Sequence, residues 1–258
     1  MESLTRLHRC VAESRTATGQ FFALNSPAVA ELIAAGTDLD FFATDLQHAP
    51  VNSQDSAAIL RAVQAVNSDI TPMVRLPDHS VYRIQQSLDI GYMGMIVPLV
   101  ETASQAEALV RATYYPPRGD RSFAGSIRAH LYGMEPDVAN DRTILLPQIE
   151  SAKGLENAEE IIAVDGVTGI LLGPEDLSLS CGWRGLDLWS HPPFLDAVER
   201  VVSLCRQYGK VSSILTAAFE DAVNAGFQVI GFGGDIAMVR LDMVALINER
   251  LNRLRKAT

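Results

Sequence analysis

Glu150 and Asp176 each follow an apolar run, and one strand–helix unit separates them. Two carboxylates that converge in a pocket repel unless a cation or a proton lies between them. Hard oxygen ligands with room left for water and substrate suit Mg2+ or Mn2+. Either acid taken alone is more often a solvated loop residue or helix cap, and Asp176 could simply cap the turn before Leu177-Ser178. Arg75 lies in Val74-Arg75-Leu76, an apolar setting for a permanent charge. It reads either as an ion pair with a barrel acid or as a clamp on an oxyanion, which a guanidinium matches geometrically. His48 follows Asp45 by three residues, where a general base would be needed, although a lone histidine is often structural. Asp89 could orient that histidine or simply be solvated. Gln47 and Gln148 stand beside these groups in the chain. Gly173 to Ser178, with Glu175 and Asp176 inside it, reads as a turn exposing backbone N–H groups that could hold a carboxylate. Gly231, Gly233 and Gly234 could cradle phosphate, but no Lys or Arg lies beside them, and a tight turn is the simpler reading.

These residues need elements to bring them together. Short β-rich runs alternate with helical patterns along the whole chain. Strands are expected at 20–24, 41–45, 71–76, 94–98, 143–149, 169–172, 210–215 and 227–232. Helices are expected at 26–35, 53–66, 80–89, 102–113, 152–164, 193–208, 217–224 and 236–254, with a polar Gly/Pro-rich segment over 115–140. The strands are apolar without clean alternation, as expected where both faces are buried. The chain has 258 residues, and eight βα units in that length predict a single α/β domain over 1–258, a closed (β/α)8 barrel of TIM type. A doubly wound sheet would show a Gly-rich nucleotide turn after the first strand, and Gly19-Gln20-Phe21 is not one. In a barrel the active site lies at the C-terminal strand ends. Asp45, Gln47, His48, Arg75, Gln148, Glu150, Glu175 and Asp176 all fall there.

The 21 basic and 31 acidic residues leave a net charge of −10, which argues against nucleic acid, since that needs a concentrated basic surface. No apolar run reaches the ~18 residues of a membrane span, and residues 1–13 hold no apolar signal core. Three cysteines without a CxxC pair make neither a disulfide framework nor a zinc ribbon. A cytoplasmic location is the expectation. Lys210 is the one lysine beside a strand, and it begins the seventh, on the wrong face for a Schiff base.

Several segments, in order, resemble the HpcH/HpaI aldolase family of class II pyruvate aldolases. They are Asp45-Leu46-Gln47-His48-Ala49-Pro50, Val74-Arg75-Leu76-Pro77, Leu88-Asp89-Ile90-Gly91, and Ile96 to Thr102. Tyr115-Pro116-Pro117-Arg118-Gly119-Asp120-Arg121, Gln148-Ile149-Glu150-Ser151 and Gly173 to Ser178 complete the set. The likeness spans about residues 17 to 250. It implies a metal-dependent aldolase that cleaves a 4-hydroxy-2-oxo acid to pyruvate, or a related 2-oxo acid, and an aldehyde, through a metal-stabilised enolate. It implies Mg2+, Mn2+ or Co2+ held by Glu150 and Asp176. Arg75 would steady the enolate oxygen, His48 would act as acid/base supported by Asp89, and Gln148 would lie near metal and substrate. The backbone around Glu175 and Asp176 would hold the pyruvate carboxylate. A homo-oligomer, hexamer or trimer, is implied, with the C-terminal helix packed on or exchanged with a neighbour.

The chain departs from the family pattern at Gln47, where many members have Glu. It departs again at Ser122-Phe123-Ala124 after Arg121, and at Ser212-Ser213 in the seventh strand. The later two departures are expected near the second substrate. Rival expectations are a 2-oxo acid decarboxylase or other lyase on the same scaffold, or a non-catalytic barrel that binds an oxo acid, with Gln47 marking lost chemistry.

Overall fold

In every strand the residues alternate between two apolar surroundings. The side chains of Phe21, Phe41, Ala43, Met73, Ile96, Ile144, Leu146, Leu171 and Val229 pack into one cluster. Their neighbours Phe22, Phe42, Val74, Met95, Val97, Leu145, Ile170, Leu172, Ile214 and Ile230 belong to a second, larger one. A sheet closed on itself produces this pair, with one cluster inside the barrel and the other between sheet and helices. The computed structural model describes residues 5–125, 127–131 and 133–257, without the side chains of Leu131 and of 254–257.

The strands are β1 (Ala17–Phe22), β2 (Phe41–Asp45), β3 (Thr71–Arg75), β4 (Gly94–Val97), β5 (Ile144–Ile149), β6 (Gly169–Leu172), β7 (Val211–Leu215) and β8 (Val229–Gly234). All are parallel and pair in sequence order, and β8 closes on β1. The helices are α1 (Arg6–Ala12), α2 (Pro27–Gly36), α3 (Ser53–Val66), α4 (Val81–Ile90), α5 (Ala103–Thr113), α6 (Arg128–Leu131) and α7 (Pro136–Arg142). Then come α8 (Ala152–Glu156), α9 (Ala158–Ala163), α10 (Pro174–Ser180), α11 (Pro192–Gln207), α12 (Phe219–Asn224), α13 (Asp235–Met238) and α14 (Val244–Ala257), with a π turn at Val239–Met243. The expected barrel is therefore present, with β2, β6 and α3 at their expected limits.

The differences have local causes. α1 carries no long apolar pattern, yet Leu7 and Cys10 enter the interior cluster, and the Leu7 N–H donates to Thr71 Oγ1 at 3.0 Å. The expected helix over 152–164 breaks at Asn157, whose side chain donates to the Glu101 carbonyl at 2.8 Å. Gly173 to Ser178, read from sequence as a turn, lead into and form most of α10, with Pro174 at its first position, where its missing N–H costs nothing.

Below the strands, Asp40 is buried between Arg6 at 2.9 Å and Arg15 at 2.9 Å and accepts the Thr18 N–H at 2.9 Å. Burial alone would raise its carboxyl, but hydrogen bonds from Arg15, Thr18, Cys10 and Arg6 outweigh it and hold it below the usual carboxylate range. At the other end, the buried Asp235 accepts the N–H groups of Ala23 and Leu24 at 2.8 and 3.0 Å, fastening the exit of β1 to that of β8.

Candidate active site

The interior parity of each strand runs on into the polar residues at its end. Phe41 and Ala43 lead to Asp45, Met73 to Arg75, and Ile144 and Leu146 to Gln148 and Glu150. Residues that point into the barrel mid-strand thus hand over to residues pointing into its mouth. There a cavity of about 340 Å3 is walled by His48, Arg75, Gln148, Glu150, Gly173 to Asp176, Leu215 to Ala217, and Gly233.

Arg75 is held by two partners. Its Nε donates to Asp45 Oδ1 at 2.9 Å and its Nη2 to Asp45 Oδ2 at 2.6 Å, the bidentate fork that fixes a guanidinium plane. The register of β2 and β3 sets Asp45 and Arg75 side by side, and the guanidinium lies 5.3 Å from the Phe21 ring centroid. The ion-pair reading of Arg75 is met by Asp45, and Arg75 also lines the cavity. The carboxylate of Asp45, expected among the catalytic residues, is taken up by Arg75 and is not on the cavity wall. It also accepts the backbone N–H groups of Gln47 and His48 at 3.0 and 3.4 Å, which brings the loop carrying His48 over the mouth.

Glu150 is 2 % exposed. Burial pushes its carboxyl up to about 7, with the nearby Asp176 charge adding to the rise, while the Leu99 N–H, Arg75 and Gln148 oppose it. The Leu99 N–H donates to Glu150 Oε1 at 2.8 Å from a residue with φ 51°, a left-handed conformation that a leucine adopts only under constraint. The Gln148 amide donates to Glu150 Oε2, and its own Oε1 is buried with no partner. Gly173 makes room for this group, because a Cβ there would lie 2.8 Å from Glu150 Oε2 and 2.8 Å from Gln148 Nε2. Asp176 stands in the first turn of α10 with Glu175.

These residues fit a divalent cation. They offer a buried carboxylate that is costly to ionise unaided, a second carboxylate close enough to raise it, and an amide oxygen without a partner. Among the described residues no three His, Cys, Asp or Glu side chains converge. The protein would supply two carboxylates and leave positions for small oxygen ligands, the habit of Mg2+ and Mn2+.

Other expectations fall elsewhere. Asp89 does not line this cavity; Arg121 holds it at 2.8 Å, and it faces an outer groove with Arg61 and Tyr82. Gln47 is not on the cavity wall, and its Oε1 is buried without a partner. Arg121 and the residues after it belong with Asp89, Ser212 lies at the foot of β7, and the Ser213 hydroxyl donates to the Ile170 carbonyl at 2.6 Å inside the barrel. None of these is on the wall of this cavity. Leu215, Thr216 and Ala217 are on it, and nothing in their residue types marks them in the sequence. Gly231 and Gly234 lie within β8, and Gly233, whose carbonyl accepts from the Gln20 amide, is part of the cavity wall.

The sequence profile of the family described as HpcH/HpaI aldolase/citrate lyase matches residues 17–240. A hydroxypyruvate/pyruvate aldolase of Deinococcus radiodurans is 39 % identical over 211 residues, 80 % of this chain and 74 % of that one. A 5-keto-4-deoxy-D-glucarate aldolase of Klebsiella pneumoniae is 32 % identical over 237 residues, 89 % of this chain and 90 % of that one. Among solved structures, an HpcH/HpaI aldolase/citrate lyase family protein from Burkholderia cenocepacia superposes with a TM-score of 0.83 at 31 % identity, covering 93 % of this chain and 95 % of that one. By this profile match and these identities, the chain belongs to the HpcH/HpaI aldolase/citrate lyase family.

Proposed function

We propose that this aldolase cleaves a 4-hydroxy-2-oxo acid to pyruvate, or a related 2-oxo acid, and an aldehyde, with a divalent cation held by Glu150 and Asp176. The observation that carries the reading is the buried Glu150 carboxyl, raised to about 7 beside Asp176 and next to the partnerless Gln148 oxygen. A bound Mg2+ or Mn2+ would supply Lewis-acid stabilisation of charge developing on the keto oxygen, worth roughly several kcal/mol. The first-turn N–H groups of α10, free of helical partners, suit the substrate carboxylate. Arg75, locked by Asp45, offers its remaining N–H groups to the same developing oxyanion without reorganising. His48 takes the proton from the C4 hydroxyl. The C3–C4 bond breaks, its electron pair passing to the enolate while C4 becomes the aldehyde carbonyl. Protonation at C3 then yields pyruvate.

The same reading includes a homo-oligomer. Every residue from Leu241 to Arg253 is exposed on the single chain, among them Leu241, Met243, Val244, Leu246, Ile247 and Leu251. An apolar face of that size needs cover.

The decisive measurement is exchange of pyruvate methyl protons in deuterated water. Exchange is expected with Mg2+ or Mn2+ and is expected to vanish with chelator and in Glu150→Gln. A wild-type protein that exchanges nothing with either metal would sink the proposal. A panel of aldehydes, offered with pyruvate and with hydroxypyruvate, then identifies the second substrate.

A further inference from the structure

Lys210 is one of three lysines in a chain of net charge −10, and the chemistry above has no use for it. It stands just before β7, at the opposite end of the barrel from the mouth. There a second cavity of about 340 Å3 opens, and among the described residues Arg206 and Lys210 are its only ionisable wall residues. Its polar walls are Ser212 and Gln228, and no carboxylate of a described residue lines it.

The groups around this cavity are donors left over after local demands are met. Arg206 lies in the last turn of α11, where an arginine commonly serves the terminal carbonyls. Here those of Cys205 and Arg206 already accept from the backbone N–H groups of Lys210 and Gly209, at 2.7 and 3.2 Å. Among the described residues the Arg206 side chain has no acidic partner. Its guanidinium is placed over Gly226, where an added Cβ would lie 3.7 Å from Nη2. Lys210 Nζ donates to the Val167 carbonyl at 2.7 Å, which fixes the ammonium and leaves two of its three N–H groups unused. The Gln228 Oε1 accepts the Ser212 N–H at 3.4 Å, so its NH2 is a further donor. Two unneutralised cations sharing one concavity balance a ligand of two negative charges, and the fork of an arginine suits a phosphoryl or carboxylate group.

We propose that the N-terminal face of this barrel carries an anion site, formed by Arg206, Lys210 and Gln228, for a compact dianion of the phosphomonoester or dicarboxylate class. The site is separate from the candidate active site and does not depend on the reading of it.

The test is isothermal titration of the full-length protein with inorganic phosphate and, separately, with malonate, compared with Arg206→Gln and with Arg206→Gln/Lys210→Gln. Saturable binding is expected, weakened at least about tenfold by the double substitution, with basal aldolase activity retained as the sign of an intact fold. If Lys210→Gln harms folding through its bond to Val167, the exposed Arg206→Gln alone must still weaken binding. Tighter phosphate binding identifies the ligand as phosphorylated, and tighter malonate binding as a dicarboxylate. No binding of either below about 10 mM, or binding indifferent to these substitutions, overturns the site.

Discussion

At the residue scale, Glu150 concentrates the electrostatic tension of the molecule. Its folded value of about 7 lies above the 4.5 of an unperturbed glutamate. The folded chain therefore keeps a proton that the unfolded chain has already lost. Stability of the metal-free protein must fall as pH rises from about 4.5 through 7 and then level off. At 1.36 kcal/mol per pKa unit the loss is roughly 3 kcal/mol at most. Glu150→Gln removes that cost and is expected to stabilise the chelator-treated protein at pH about 8 but not at pH about 5, while abolishing methyl-proton exchange. Urea unfolding at the two pH values checks this, and a pH-independent effect of the substitution would contradict the assignment. Arg75 is different in kind. Removing it strands the buried Asp45 charge, so Arg75→Ala is expected to cost about 3–5 kcal/mol as well as activity. Arg75→Ala/Asp45→Asn should recover most of the stability and none of the exchange.

At the element scale, two junctions matter. One is the turn from β6 into α10, where Gly173 passes against Glu150 and Gln148. A methyl group there must push on both. Gly173→Ala is expected to destabilise by about 1–3 kcal/mol through overpacking and to weaken Mn2+ binding at least about tenfold. Wild-type Mn2+ affinity, read by titration, would mean that the close approach does not shape the site. The other junction is the foot of the barrel, where Asp40 joins α1 to β1 and β2. Its folded value is depressed, so its contribution is fully present above the unfolded aspartate value of about 3.9 and fades as pH falls through the folded one. Asp40→Asn is expected to cost about 2 kcal/mol at neutral pH, and the difference from wild type should shrink on acidification. A penalty that stays constant down to pH about 2 would show that packing, not charge, is at work.

At the scale of the whole molecule, the barrel is complete without its last helix, yet among the described residues α14 displays exposed Val244, Leu246, Ile247 and Leu251. A chain lacking residues 241–258 is expected to fold and to lose assembly, with a lower mass by light scattering. An unchanged mass would remove α14 from the interface. No helix among the described residues is long and apolar enough to cross a membrane.

The chain by itself shows eight βα units, because each strand is an apolar run bounded by turn residues and each helix repeats its apolar positions with a 3.6-residue period. It also shows which strand ends carry acids, a guanidinium and an imidazole, because charge in an apolar setting stands out in one dimension. The tertiary structure decided which of those groups meet. Strand parity and register bring Arg75 to Asp45 and Glu150 to Gln148 and Asp176, while Asp89, on the outer side of α4, goes to Arg121. Parity was invisible in strands that are apolar on both faces, so neither the pairing of Asp45 nor the apolar wall at Leu215 and Ala217 could be read from spacing. The same holds for Lys210: its place before a strand and four residues after Arg206 was legible, but only the folded barrel brings Gln228 to them, in a cavity that no acid lines among the described residues.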